Sequence, residues 1–105
     1  MTISDHVMIA GGIAHKAPEI LEALEQGVKP SYKVWYAVTT AFKQDELMYI
    51  LSSREYGLPL YRDSSLRLLG LAGSRNEAYD IVMEITKSGY TENVISDMKN
   101  YLQTY

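Results

Sequence analysis

Residues 31–43 read SYKVWYAVTTAFK, and the fold turns on whether this stretch is helix or strand. Read as a helix, Ser31 caps a segment from Tyr32 to Lys43 that gathers Trp35, Val38, Thr39 and Phe42 on one face. Read as a strand, Val34, Tyr36, Val38, Thr40 and Phe42 alternate with their neighbours, and Val, Trp, Tyr, Thr and Phe all favour extended backbone. The serine cap and the length of the segment tip the reading to helix.

The flanking segments support a helical chain. On the N-terminal side a helix is predicted from Ala17 to Gln26. Pro18 suits its first turn, and Ile20, Leu21 and Leu24 share a face. Gly27 fits the left-handed residue past its end, and Pro30 prevents continuation. On the C-terminal side Asp45 caps a predicted helix from Glu46 to Tyr56, with Leu47, Ile50 and Leu51 as its stripe and Gly57 and Pro59 as its stop. The pattern then changes. Leu58–Arg62 and Leu66–Leu71 are short apolar runs separated by Asp63-Ser64-Ser65, which reads as a hairpin or at least as one strand at 66–71. Ser74-Arg75-Asn76-Glu77 is a capping box opening a helix with Ala78, Ile81, Val82 and Ile85 on one face and Gly89 at its end. A last helix begins near Thr91 or Glu92 and carries Val94, Ile95, Met98, Tyr101, Leu102 and Tyr105 inward.

The expected fold is therefore an α+β domain dominated by about five short helices, with a small strand or hairpin near residues 58–72; an all-α domain is the alternative. Residues 1–14 are set apart as an N-terminal segment free to move, and 15–105 form one compact domain, as the length allows.

Composition narrows the function classes. The chain has 105 residues, 47% of them apolar, and no cysteine, which removes disulfides, thiolate metal sites and a Cys nucleophile. A cytoplasmic location follows as the expectation. The longest apolar stretch, Val7 to Ala14, contains two glycines and is too short to cross a bilayer, so no membrane partner is expected. Net charge is −3, unevenly spread. Residues 51–75 set Arg54, Arg62, Arg67 and Arg75 against Glu55 and Asp63. Residues 76–105 set Lys87 and Lys99 against Glu77, Asp80, Glu84, Glu92 and Asp97.

Candidate chemistry is sparse. His6 and His15 are nine residues apart with no cysteine to join them, so no metal is expected. Glu19, Glu22 and Glu25 lie opposite the apolar stripe of their helix and face water. None of the serines sits in a nucleophile elbow, and no acid lies in an apolar run where its pKa would rise. One stretch suggests anion binding: strand, glycine turn and helix start meet at Gly73, Ser74 and Arg75, where amide groups, a hydroxyl and a guanidinium coincide. It is neither a P-loop nor a dinucleotide fingerprint.

The nine tyrosines read first as the rim of a small core, then as a protein interface, and last as platforms for stacking bases. Arg54, Tyr56, Tyr61 and Arg62 occur in the run REYGLPLYRD, and Tyr and Arg are enriched where proteins meet. Val94, Met98, Tyr101 and Tyr105 on the last helix form a second candidate interface stripe.

Leu24-Glu25-Gln26-Gly27, Lys29-Pro30-Ser31, Ala37 and Ala41-Phe42 together resemble the second half of the helix-turn-helix domain of phage-repressor-type regulators, over about residues 20–50. The resemblance implies a DNA-binding regulator with a recognition helix at His15–Ala23. That helix carries Glu19 and Glu22 where base-reading Arg, Gln or Asn would stand. The expectation is thus a non-enzymatic binding protein without cofactor that self-associates as a dimer. A helix-turn-helix regulator is the second reading and a small phosphate- or nucleotide-binding protein the third; nucleic acid is not the expected partner.

Overall fold

The computed structural model describes residues 1–43, 45–62, 65–91 and 97–105. Strand β1 (Thr2–Ile9) leads through a 3-10 turn (Gly11–Ile13) into helix α1 (Ala17–Glu25). Strands β2 (Tyr36–Thr40) and β3 (Met48–Ser52) follow, then two single-turn helices, α2 (Ser53–Tyr56) and α3 (Pro59–Arg62). Strand β4 (Arg67–Ala72), the long helix α4 (Arg75–Thr91) and α5 (Met98–Thr104) complete the order. The strands form one mixed sheet in the order β1-β4-β2-β3. β4 runs parallel to β1 and antiparallel to β2, and β2 is antiparallel to β3.

The expected helix dominance, and with it the all-α alternative, is overturned: this is a mixed α/β domain organised by a four-stranded sheet. The decisive stretch is strand, not helix. Ala37, Val38, Thr39 and Thr40 are all buried, with Ala37 packing on one face of the sheet and Val38 on the other. A strand covered on both faces reads as an unbroken apolar run and loses the polar alternation that would announce it. Ser31 is exposed ahead of an irregular loop and caps nothing there. The helix-turn-helix resemblance requires a helix after Pro30-Ser31, and that helix is absent.

The helix expected over Glu46–Tyr56 is also replaced. Its first part is β3, paired residue for residue with β2 from Thr40↔Met48 to Tyr36↔Ser52. Only its end is helical. There Ser52 Oγ accepts from Glu55 N at 3.2 Å and Glu55 Oε1 accepts from Ser52 N at 3.1 Å, a capping box that starts α2 at Ser53. The signal Ser52-x-x-Glu55 is present in the sequence, inside the supposed helix. The hairpin expected over 58–72 has one strand, β4. Its other half, Leu58–Arg62, forms α3, where Pro59 takes the first helical position. Residues 1–14, set apart in the sequence, supply β1 and the 3-10 turn.

Other boundaries agree with their local chemistry. α1 starts with proline in its first turn, and Gly27 adopts φ 73° just beyond it. Gly89 does not terminate α4, which continues to Thr91. It lets α5 approach instead, since a Cβ there would collide with the Met98 side chain.

The sheet divides two apolar layers. On one face Ile13, Ala17, Ile20 and Leu24 pack with Trp35, Ala37, Tyr56, Leu68 and Leu71. On the other, Ala78, Ile81 and Ile85 of α4 and Met98 and Leu102 of α5 cover Val38, Leu69 and Ala72. β4 is bulged: Val38 faces Gly70 and Thr39 faces Leu68, leaving Leu69 as the extra residue. Arg67 N, next to the bulge, donates to Thr40 Oγ1 at 3.0 Å. Gly70 brings α4 onto the sheet, because a Cβ there would lie 2.6 Å from Ile81 Cγ2.

Gly70→Ala should therefore lower stability by about 1–3 kcal/mol through overpacking. Gly11→Ala, where a Cβ would meet nothing within 4 Å, should stay within about 0.5 kcal/mol of the parent. Urea midpoints of the two variants check this; equal midpoints would remove the close α4–β4 contact from the account.

Candidate functional site

Three places combine exposed chemistry with defined geometry: the turn before α4, the outer edge of β3, and a groove between the 29–35 loop and the starts of α2 and α4.

The turn before α4 contains the residues singled out for anion binding, and the structure separates them. Ser74 Oγ accepts from Glu77 N at 3.2 Å, as a cap does. The Glu77 carboxylate reaches further than a capping box requires. Its Oε1 accepts from Gly73 N at 2.8 Å and its Oε2 from Gly12 N at 2.9 Å, joining the turns after β4 and β1. The Gly73 amide that an external anion would use is thus already bonded to an internal one. Gly73 also needs to lack a side chain, since a Cβ would sit 3.0 Å from Gly12 O. Arg75 points elsewhere: its guanidinium lies 5.4 Å from the centre of the Tyr36 ring and lines the groove.

The edge of β3 follows from hydrogen-bond alternation. Ala41 N donates to Leu47 O and Ser53 N to Trp35 O, so residues 47, 49, 51 and 53 turn their backbone groups toward β2. The N–H and C=O groups of Met48 and Ile50 point outward, away from the sheet. Ser52 N is held by Glu55, leaving its carbonyl on the same outer edge. The strand reads MYILS, without charge or proline. Around it Phe42, Tyr49 and Tyr61 form a ring cluster with centroids 5.4–6.3 Å apart. Leu47, the residue before β3, is 45% exposed, and Leu58 and Leu60 around α3 are 52% and 58% exposed. Burial raises the Tyr49 phenol above the usual tyrosine range, and the Glu46 carboxylate adds to the effect. At the far end of the hairpin Lys99 Nζ donates to the carbonyls of Lys43 and Glu46, each at 2.6 Å, and of Ala41 at 3.4 Å, tying the loop to α5.

The groove consists of two adjoining depressions that share Lys33, Trp35, Ser53 and Arg54. The larger encloses about 660 Å³ and adds Lys29, Pro30, Ser31 and Tyr32; the smaller, about 340 Å³, adds Tyr36 and Arg75 among others. Trp35 is its buried floor, braced by Tyr56 at 5.8 Å. Ser53 Oγ donates to Lys33 O at 2.6 Å and holds the loop against α2. Tyr32 has Lys16 5.9 Å from its ring centre and His15 edge-on at 6.0 Å. Lys29, Lys33, Arg54 and Arg75 are all exposed, and no acidic residue lines either depression. Among the described residues none of the four forms an ion pair.

The interface candidates from the sequence fall in different places. Arg54 is exposed in the groove, while Tyr56 is in the core under Trp35. Tyr61 belongs to the ring cluster beside β3. Met98 is buried against α4, and Tyr101 and Tyr105 are half-buried and edge-on to each other at 5.7 Å, with Tyr105 also 6.0 Å from His6. Val94 and the Arg62 side chain lie outside the described residues. The sequence reading missed Lys29, Lys33 and Tyr36 as site residues. Lys33 and Tyr36 fall inside the expected helix, and Lys29 is read only as part of the helix-turn-helix resemblance. Among the described residues no three His, Cys, Asp or Glu side chains are placed to hold a metal ion, and no helix is long and apolar enough to cross a membrane.

No family model, no curated protein and no solved structure matches this chain.

Removing the Glu77 carboxylate leaves two turn amides without their protein acceptor. Glu77→Ala should cost about 2 kcal/mol, more than the ~1 kcal/mol expected for Ser74→Ala. Urea denaturation of the two variants tests the order; a larger effect at Ser74 would reduce Glu77 to an ordinary capping residue.

Proposed function

We propose that this protein is a non-enzymatic, cytoplasmic binding protein that works as a homodimer, joined by antiparallel pairing of β3 with β3 of a second copy. The observation that carries this reading is the outward-facing backbone of Met48 and Ile50 on an uncharged edge strand. An open edge of this kind is a template for another strand, and proteins that stay monomeric blunt it with charge, proline or a bulge. β1, at the opposite edge, has such protection: its register breaks between Ile3 and Met8, and Asp5 and His6 lie exposed in the break. β3 has none.

A two-fold axis through Ile50 pairs most of the free groups with their counterparts and leaves only the Met48 carbonyl of each copy without a donor from the ladder. Ile50 exchanges both hydrogen bonds with Ile50 of the second copy, and Met48 N–H meets the Ser52 carbonyl of the second copy. Ser52 N–H, already bonded to Glu55, marks the end of the ladder. Leu47, the residue before β3, then buries its exposed surface beside the new sheet and adds a hydrophobic part to the contact. Tyr61, an interface candidate in the sequence, lies in this region through its contacts with Phe42 and Tyr49.

Sedimentation equilibrium over micromolar concentrations should show a species heavier than the 11.9 kDa chain. Ile50→Pro removes an outward N–H without taking a bond from β2, so it should weaken association at least about tenfold, or ~1.4 kcal/mol. Leu47→Lys should act in the same direction with the fold intact by circular dichroism. A single 11.9 kDa species for the parent would defeat the proposal. So would a dimer untouched by both changes but split by Tyr101→Glu on α5.

A further inference from the structure

We propose that the groove between the 29–35 loop and the starts of α2 and α4 binds a nucleoside di- or triphosphate, the phosphates on its cations and the base against its aromatic wall. Charge is the first support. A chain of net charge −3 gathers Lys29, Lys33, Arg54 and Arg75 around one depression and places no carboxylate on its lining. These four groups reach the groove from three separate parts of the chain, so local sequence composition does not account for their meeting. Left alone they repel one another; a polyphosphate brings several negative charges into the same space and reverses that term. Arginine in particular offers a planar fork that matches phosphate oxygens, and Arg54 and Arg75 both lie exposed at the starts of their helices.

Shape and chemistry of the walls are the second support. The larger depression, about 660 Å³, falls within the ~300–1,000 Å³ of small-ligand sites. It is confined to one loop and the start of α2, and it continues toward Arg75 only through the smaller depression. That suits a ligand with one compact charged end better than a polymer tracked along the sheet. Tyr32 and Tyr36 are half-buried walls, with Lys16 and His15 against the Tyr32 ring and Arg75 over the Tyr36 ring, and Trp35 closes the floor. The Ser31 side chain is exposed at the rim, while Ser53 is occupied in holding the loop. The loop is therefore fixed from beneath, by Ser53 and by the buried Pro30 and Trp35, while its cations stay free. This arrangement is independent of β3 pairing and of the Gly73–Glu77 turn.

Isothermal titration with ATP, ADP, pyrophosphate, adenosine and a short oligothymidylate, at about 0.05 M salt where screening is weak, tests the assignment. ATP and ADP should bind with Kd below about 1 mM, and adenosine at least tenfold more weakly. Pyrophosphate should fall between them. Lys33→Glu and Arg75→Glu should each weaken ATP binding by tenfold or more. Lys43→Glu, the same charge change on the distant hairpin loop, should leave it within about twofold. Circular dichroism of each variant confirms folding; both groove positions are exposed, and a glutamate in the first turn of α4 is compatible with the helix. Absence of ATP and pyrophosphate binding overturns the proposal, as does ATP binding indifferent to Lys33→Glu and Arg75→Glu. Tighter binding of the oligothymidylate, growing with its length, would replace the nucleotide with a single-stranded nucleic acid. Repeating the titration with the Ile50→Pro variant separates this result from the state of association.

Discussion

Leu68, Leu69, Leu71 and Ala72 lose essentially all contact with water. In a six-residue strand this requires an apolar layer on each face and a hydrogen-bonded neighbour on each side. β1 and β2 are those neighbours, one parallel and one antiparallel, and the two helical layers are the covers. Full burial of a leucine side chain contributes about 1.5–3 kcal/mol, so β4 is where much of the driving force of the fold concentrates. The bulge at Leu69 turns the strand's side chains out of simple alternation. It sends Leu69 toward α4, and Gly70 then gives α4 its place on the sheet.

Several backbone groups near the ends of this core are satisfied by side chains from other elements of the chain. Glu77 holds the turns that follow the two parallel strands. Lys99 gathers three carbonyls of the β2–β3 loop. Thr40 receives the amide displaced near the bulge. These bonds cross between elements, so they fix the ends of the sheet relative to the helices as well as removing unpaired donors and acceptors.

Against that background the β3 edge and the groove differ in kind. The β3 edge offers neutral backbone groups in a row, with Leu47 beside them, and a neutral row is best completed by another strand. The groove offers cations that, among the described residues, form no ion pair, over an aromatic floor, and those are best completed by a compact anion. They use opposite ends of the β3–α2 connection, with Ser52 closing the edge and Ser53 bracing the groove. One short stretch of chain therefore positions both surfaces.

How much of this the sequence carried depended on whether the signal was local. Pro18 and Gly27 delimit α1, and Ser74 marks the start of α4, because caps and left-handed glycines act within a few residues. The turn-flanked apolar run gave β4 for the same reason. The capping box at Ser52 was equally local and legible, yet it was hidden by a 3-4 spacing of Leu47, Ile50 and Leu51 that a helix and a half-buried strand share. Residues 31–43 could not be read this way. Val38 and Ala37 are both buried because layers from opposite ends of the chain cover both faces, and no periodicity within the segment records that. The same limit applies to the sites. Sequence supplied the residues of the turn at Gly73–Arg75, but only the tertiary structure filled Gly73 with Glu77 and turned Arg75 toward Lys33 and Arg54, because cations from three elements share a groove only once the sheet has brought those elements together.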